Sequence, residues 1–215
     1  VHIVHLEPPG ETVWAVVVGA VLATLGGFVA TQLEGAMRRR ERERSAALLF
    51  GEILSALETI ITIAHQARQH GEPYGPFTLR LVRAARREID TYERNRGSLY
   101  DLRKAEIRFR IHALMVQVTL ALEGVIDSTA EIDAAQRALG DLAPGHPRQA
   151  EAEQRLQALV NGRESAFDAM QAATGETKAL VAALRPVARV NFEALKRLSG
   201  SPYANDGSPP AGPIS

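Results

Sequence analysis

The sequence predicts an all-α protein: one N-terminal transmembrane helix followed by an elongated antiparallel helical bundle or coiled-coil hairpin. Three observations predict it. Residues 13–33 form a run of 21 without a single charge. Apolar residues downstream recur at alternating steps of three and four, the spacing of one helix face. Short Gly- and Pro-rich segments separate the long periodic stretches, as between antiparallel neighbours in a bundle. Only 11 of the 215 residues are aromatic, too few to suit a β-sandwich core.

The uncharged run, VWAVVVGAVLATLGGFVATQL, lies between Glu11 and Glu34. At about 1.5 Å per residue it spans roughly 30 Å, the thickness of a hydrocarbon core. Trp14 stands at one end, where an indole suits the headgroup level. A buried core helix rarely stays uncharged this long. A cleaved signal peptide needs a basic leading segment, and the first 12 residues contain no Lys or Arg. After the run come Arg38, Arg39, Arg40, Arg42 and Arg44, against Glu41 and Glu43. Basic residues beside a span stay on the cytoplasmic side. The expected topology is therefore single-pass, with the N-terminus outside and the C-terminal region cytoplasmic, in a bacterial inner membrane. The same five arginines are expected to meet lipid headgroups.

Within the span, Ala15, Gly19, Ala23, Gly27 and Thr31 recur every fourth position. Such a row lies on one helix face, and small side chains let two backbones approach closely. It is expected to pack the span against a second copy or another membrane protein. Composition alone competes with this reading, because Gly, Ala and Thr are abundant in the run.

The remaining chain reads as helix in four stretches. Leu49, Ile53, Leu57, Ile60, Ile61 and Ala64 share a face, and no Pro or Gly separates this helix from the arginines. Gly71, Pro73, Gly75 and Pro76 end it. A second helix over residues 78–96 carries Val82, Ala85, Ile89 and Tyr92. Gly97 and Ser98 interrupt it, and Ser98 with Asp101 offers an N-cap for the next. The third helix has the clearest seam: Ile107, Ile111, Leu114, Val118, Ala121, Val125, Ser128, Ile132, Ala135 and Leu139. Its uncharged core, residues 111–122, is too short for a second span. A turn over residues 140–147 leads to a fourth helix over residues 148–198. Its seam runs through Leu156, Val160, Phe167, Met170, Val181, Leu184, Leu195 and Leu198. Arg163, Thr174, Thr177 and Asn191 dilute that seam, and Gly175 and Pro186 should weaken or kink the helix. The tail is rich in Pro, Gly and Ser and is expected to be disordered. The implied organisation is a short extracytoplasmic end (1–12), a transmembrane helix (13–35), a basic juxtamembrane segment (36–44), a cytoplasmic bundle (45–198) and a tail (199–215).

Chemistry is hard to find. The chain has no cysteine, which removes disulfides, thiol catalysis and cysteine-ligated metals. Its 25 basic and 25 acidic residues balance, against the simplest case for nucleic-acid binding. His2 and His5 lack fixed geometry, His65 and His70 are wrongly spaced for one face, and His112 lies beside the apolar seam. The GETK segment at residues 175–178 lacks the first half of a phosphate loop. Glu131 and Asp133, two apart on a helix, face different ways. Residues 80–110 hold ten basic and five acidic side chains, whereas residues 123–180 hold five and ten. The basic stretch is either an ordinary solvated face or a contact for anionic lipid. The expectation is a membrane-anchored scaffold or adaptor with an unknown cytoplasmic protein partner. A sensor or regulatory subunit of a membrane complex is the alternative, and an enzyme of unrecognised type ranks third. No catalytic residue, cofactor, metal, nucleic acid or small-molecule substrate is expected.

Overall fold

The computed structural model describes residues 9–70, 73–143, 146–192 and 194. Those residues form an all-α protein with helices α1 (Pro9–His70), α2 (Pro76–Asn95), α3 (Ala105–Gly140) and α4 (Gln149–Ala188). They divide into two compact units, Val1–Arg42 and Glu43–Ser215.

The first unit is the leading part of α1. Its apolar side chains are bare: Trp14, Val16, Val21, Leu22, Leu25, Phe28, Val29 and Leu33 are all more than half exposed. Such a helix is long and apolar enough to cross a membrane, and a signal sequence has the same properties.

The second unit is a four-helix bundle. Cross-helix pairs show the direction of each helix. Phe50 of α1 meets Tyr92 of α2 edge-to-face at 6.0 Å. Arg86 and Tyr92 of α2 bond Glu123 and His112 of α3 respectively, so rising numbers meet falling ones. Arg110 of α3 bonds Glu176 of α4, while Gly124 faces Ala166. His65 of α1 meets Gln171 of α4, while Arg68 meets Glu164 and Asp168. Successive helices therefore run in opposite directions, as their short connections dictate.

The α3 seam packs as its spacing predicts. Ile107, Ile111, Leu114, Val118, Ala121, Val125 and Ile132 are buried, while Ser128, Ala135 and Leu139 are half-buried. Met115 and Leu122 widen the stripe. This helix is also long and apolar enough to cross a membrane, but the bundle covers one of its faces. Val116, Leu120 and Phe109 remain exposed on the other.

The second half of α1 is buried far more broadly than one seam requires. Ala46, Ala47, Phe50, Gly51, Ile53, Leu54, Ser55, Leu57, Glu58, Ile61 and Ala64 are all buried. Each fully buried Leu, Ile or Phe contributes about 1.5–3 kcal/mol relative to exposure. Gly51 is required by a close approach: a Cβ there would overlap the Phe192 ring. Gly124 is similarly tight, since its Cβ would meet that of Ala166 at 3.0 Å.

Two boundaries differ from expectation. Ser98 and Asp101 do not cap α3. Residues Arg96–Asp101 form a 3₁₀ helix that buries Leu99, and Lys104 stands at the α3 N-cap without a side-chain bond. The tight turn reverses the chain and seats an apolar side chain, which outweighs the lost cap. Helix α4 ends at Ala188, ten residues early, because Arg189 adopts a left-handed conformation (φ 57°, ψ 36°) and closes a bond to the Arg185 carbonyl. Pro186, with no N–H to donate, sits in that last turn, whereas Gly175 lies inside unbroken helix. Leu195, Leu198 and the expected disordered tail lie outside the described residues, as does the N-terminal end over residues 1–8. The second unit begins at Glu43. The Glu43 carboxylate accepts from the Arg103 backbone N–H at 3.2 Å and pairs with its guanidinium at 3.3 Å.

Leu114→Asp should therefore collapse the bundle. Leu114 is 2% exposed, and an unpaired carboxylate there costs the lost packing plus desolvation, more than about 3 kcal/mol together. Circular dichroism of the full chain in detergent should show loss of the cooperative thermal transition. A melting point within a few degrees of the parent would contradict this packing.

Candidate functional site

The small row of the first unit lies along the bare part of α1. Gly19, Ala23, Gly27 and Thr31 are exposed, and a Cβ built on Gly19 or Gly27 meets nothing within 4 Å. Gly26, off the row, is equally open. The Ala15 side chain lies outside the described residues. Thr31 donates its hydroxyl to the Gly27 and Phe28 carbonyls, each at 2.9 Å, and Thr24 donates to Ala20 at 2.8 Å. Both hydroxyls are thus satisfied within the helix, the arrangement that lets threonine enter an apolar medium.

The five arginines are all exposed. Arg38 pairs with Glu34 one turn back, and Arg39 donates to the Gly35 carbonyl at 3.2 Å. Arg40 and Arg42 project from the same helical segment. Arg44 belongs to the bundle unit, where its Nε donates to the Ala188 carbonyl at 3.2 Å. It thereby satisfies an orphan carbonyl at the C-terminus of α4, an end that favours a cation.

A polar cluster joins the end of α1, the following turn and α4. Arg68 pairs with Glu164 and with Asp168, the latter at 2.9 Å, and lies 4.8 Å over the Phe167 ring. Arg163 stacks on Tyr74, 3.6 Å from its ring centre, and Tyr74 meets Phe167 edge-to-face at 6.0 Å. Burial pushes the Tyr74 phenol up to about 12, with the Arg68 charge pulling against it. The sequence marked Arg163 only as a fault in the α4 seam. That fault was the available signal, because a charged residue on an apolar stripe needs a partner. Thr177, another fault, is buried and donates to Ala173 at 2.9 Å.

His112 Nδ1 lies 3.0 Å from the Tyr92 hydroxyl, whose ionisation burial also pushes up. His65 Nε2 meets the amides of Gln69 at 2.8 Å and Gln171 at 3.1 Å. His70 bonds the Gln66 carbonyl, whereas His2 and His5 lie outside the described residues. Among the described residues no three metal-ligating side chains gather. Residues 175–178 lie within α4, where Glu176 holds Arg110 and Lys178 lies 3.7 Å from Glu58. Two of the ten basic residues of the 80–110 stretch, Arg86 and Arg110, pair with the acidic stretch through Glu123 and Glu176.

Two cavities flank the α3–α4 end of the bundle. One of about 770 Å³ is lined by small α3 residues, with Glu131 and Glu151 balancing Arg148 and Arg155. The other, about 510 Å³, is lined by Tyr74, Arg80, Arg83, Asp133 and Arg163 among others. Glu131 and Asp133 line different cavities and so do face different ways. No protein-family model matches the chain, and comparison with curated proteins and with solved structures gives no match either. A helical bundle by itself specifies no activity.

The raised phenols give a pH dependence. A phenol whose folded value lies above its unfolded one contributes stability in full below the unfolded value, near pH 10 for Tyr74. That contribution fades as pH climbs toward about 12. Tyr74→Phe should flatten this alkaline loss in denaturant midpoints measured between pH 10 and 12. An alkaline limb identical to that of the parent would exclude Tyr74 as a source.

Proposed function

We propose that this chain is a single-pass, membrane-anchored helical scaffold or adaptor that holds a partner protein at the cytoplasmic face of the membrane. The observation that carries the reading is the contrast within α1. Its first part is apolar and bare on all sides, whereas its second part is buried in a bundle. A helix apolar all round is unfavourable in water and favourable in lipid. The arginine-rich segment from Arg38 to Arg44 supports placing the bundle inside and the N-terminus outside. Among the described residues, Arg68, Arg86 and Arg110 are engaged in ion pairs between helices. That favours a structural role over catalysis.

Reporter fusions test the topology. A C-terminal reporter should behave as cytoplasmic and should stay membrane-bound through alkaline carbonate washing. Neutralising Arg38, Arg39, Arg40, Arg42 and Arg44 while adding basic residues near Glu7 should reverse it. A soluble mature chain lacking residues 13–33 would instead identify a signal sequence.

The small row supports self-association of the span. Gly19, Gly26 and Gly27 are equally unobstructed in the single chain, so isoleucine at any of them should fold alike. Only a partner distinguishes them, because lipid is as apolar as leucine and close backbone packing must supply the attraction. Gly19→Ile and Gly27→Ile should weaken dimerisation in a membrane two-hybrid assay more than Gly26→Ile does. Equal signals from all three and the parent would remove the homodimer.

A further inference from the structure

The 510 Å³ cavity at the start of α2 carries an uncompensated positive charge. Arg80 and Arg83 come from the first turns of α2, and Arg163 comes from α4. Among the described residues, none of the three has a carboxylate within ion-pair distance. By contrast Arg68, Arg86 and Arg110 each hold at least one acid. Arg163 is fixed by stacking on Tyr74 instead, and its Nε is buried without a hydrogen-bond partner. Asp133 lines the same cavity and offsets one charge of three. The α2 N-terminus adds a second positive influence, since Gly75 stands at its N-cap with no capping side chain and no acidic residue lies in the first turn. The concavity is open to solvent, so an anion can reach it directly.

We infer that this cavity binds a phosphate monoester, gripped by the forked donors of Arg80, Arg83 and Arg163, with Asp133 facing a hydroxyl or amine beside the phosphate. Guanidinium forks match phosphate oxygens two at a time, and their fixed plane makes the pairing directional. Stacking orders Arg163 before any ligand arrives, which lowers the entropy lost on binding. Three arginines drawn from two helices converge on one concavity, whereas a general solvated face would spread them. The same chemistry is offered by a soluble glycerol phosphate and by the headgroup of phosphatidic acid. The site does not depend on the anchor reading, because its residues all belong to the bundle unit.

The test uses the full chain in detergent, titrated calorimetrically with glycerol 3-phosphate. Binding should occur and should weaken about tenfold or more in Arg80→Gln/Arg83→Gln and in Arg163→Gln, each contact being charge-assisted. Arg87→Gln, exposed on the same helix but not lining the cavity, should bind as the parent does. Arg80 and Arg83 are exposed, so that double variant should melt like the parent and any loss reports the site. Hydrogen exchange over residues 74–83 then separates the two sources, in nanodiscs of phosphatidylcholine with or without phosphatidic acid. Protection by phosphatidic acid that the double variant abolishes assigns the headgroup. Protection only by added glycerol 3-phosphate assigns a soluble ligand. Absence of binding from either source, or an equal loss in Arg87→Gln, would overturn the site.

Discussion

The bundle depends on the burial of one segment, residues 46–64 of α1. Phe50, Leu54, Leu57 and Ile61 are each closed off from water almost completely, and the small residues Ala46, Ala47 and Gly51 keep their neighbours close. Phe50 reaches Tyr92 of α2, and Gly51 receives Phe192 from beyond α4. Volume changes there are transmitted to more than one neighbour, since interiors are packed as tightly as organic crystals. The same helix is bare over its apolar leading part. One continuous backbone thus meets two opposite solvation demands, and the sequence changes between them at the arginine-rich segment.

Around that core, ion pairs connect one helix to the next. Arg86 bridges α2 to α3, Arg110 bridges α3 to α4, and Arg68 bridges α1 to α4. Water still reaches these bridges, so their value is mainly in fixing which faces meet. Arg163 stands apart because an aromatic ring, not an acid, holds it. An arginine held that way keeps its charge available to a third party.

The fold class was legible because heptad spacing reports burial directly. The apolar positions of the α3 stripe from Ile107 to Ile132 are buried where spacing placed them. The breadth of α1 burial was less legible, since a search for one stripe misses a helix covered on several sides. Phe50 and Leu54 fell off the chosen row for this reason. The end of α4 could not be read either, because Arg189 gives no local sign of a left-handed backbone. Nor could the 3₁₀ turn, where seating Leu99 outweighs the capping chemistry of Ser98 and Asp101. Among the candidate site residues, spacing picks out a row of small residues in the leading part of α1, and spacing carries no information on what covers that row. The arginine cavity was invisible, since Arg80 and Arg163 are 83 positions apart and only the fold brings them together.

Arg44 sets a practical limit on dissecting the protein. By composition it is the last of the arginines that follow the apolar run. In the fold it closes the C-terminal end of α4 through the Ala188 carbonyl, while Glu43 beside it holds the turn before α3 through Arg103. A cut that follows the charge pattern and starts the soluble fragment at Ser45 removes both ties. It leaves an α4 carbonyl and the Arg103 backbone N–H without those bonds. The natural place to divide the chain lies before Glu43, two residues inside what the charge pattern assigns to the membrane surface.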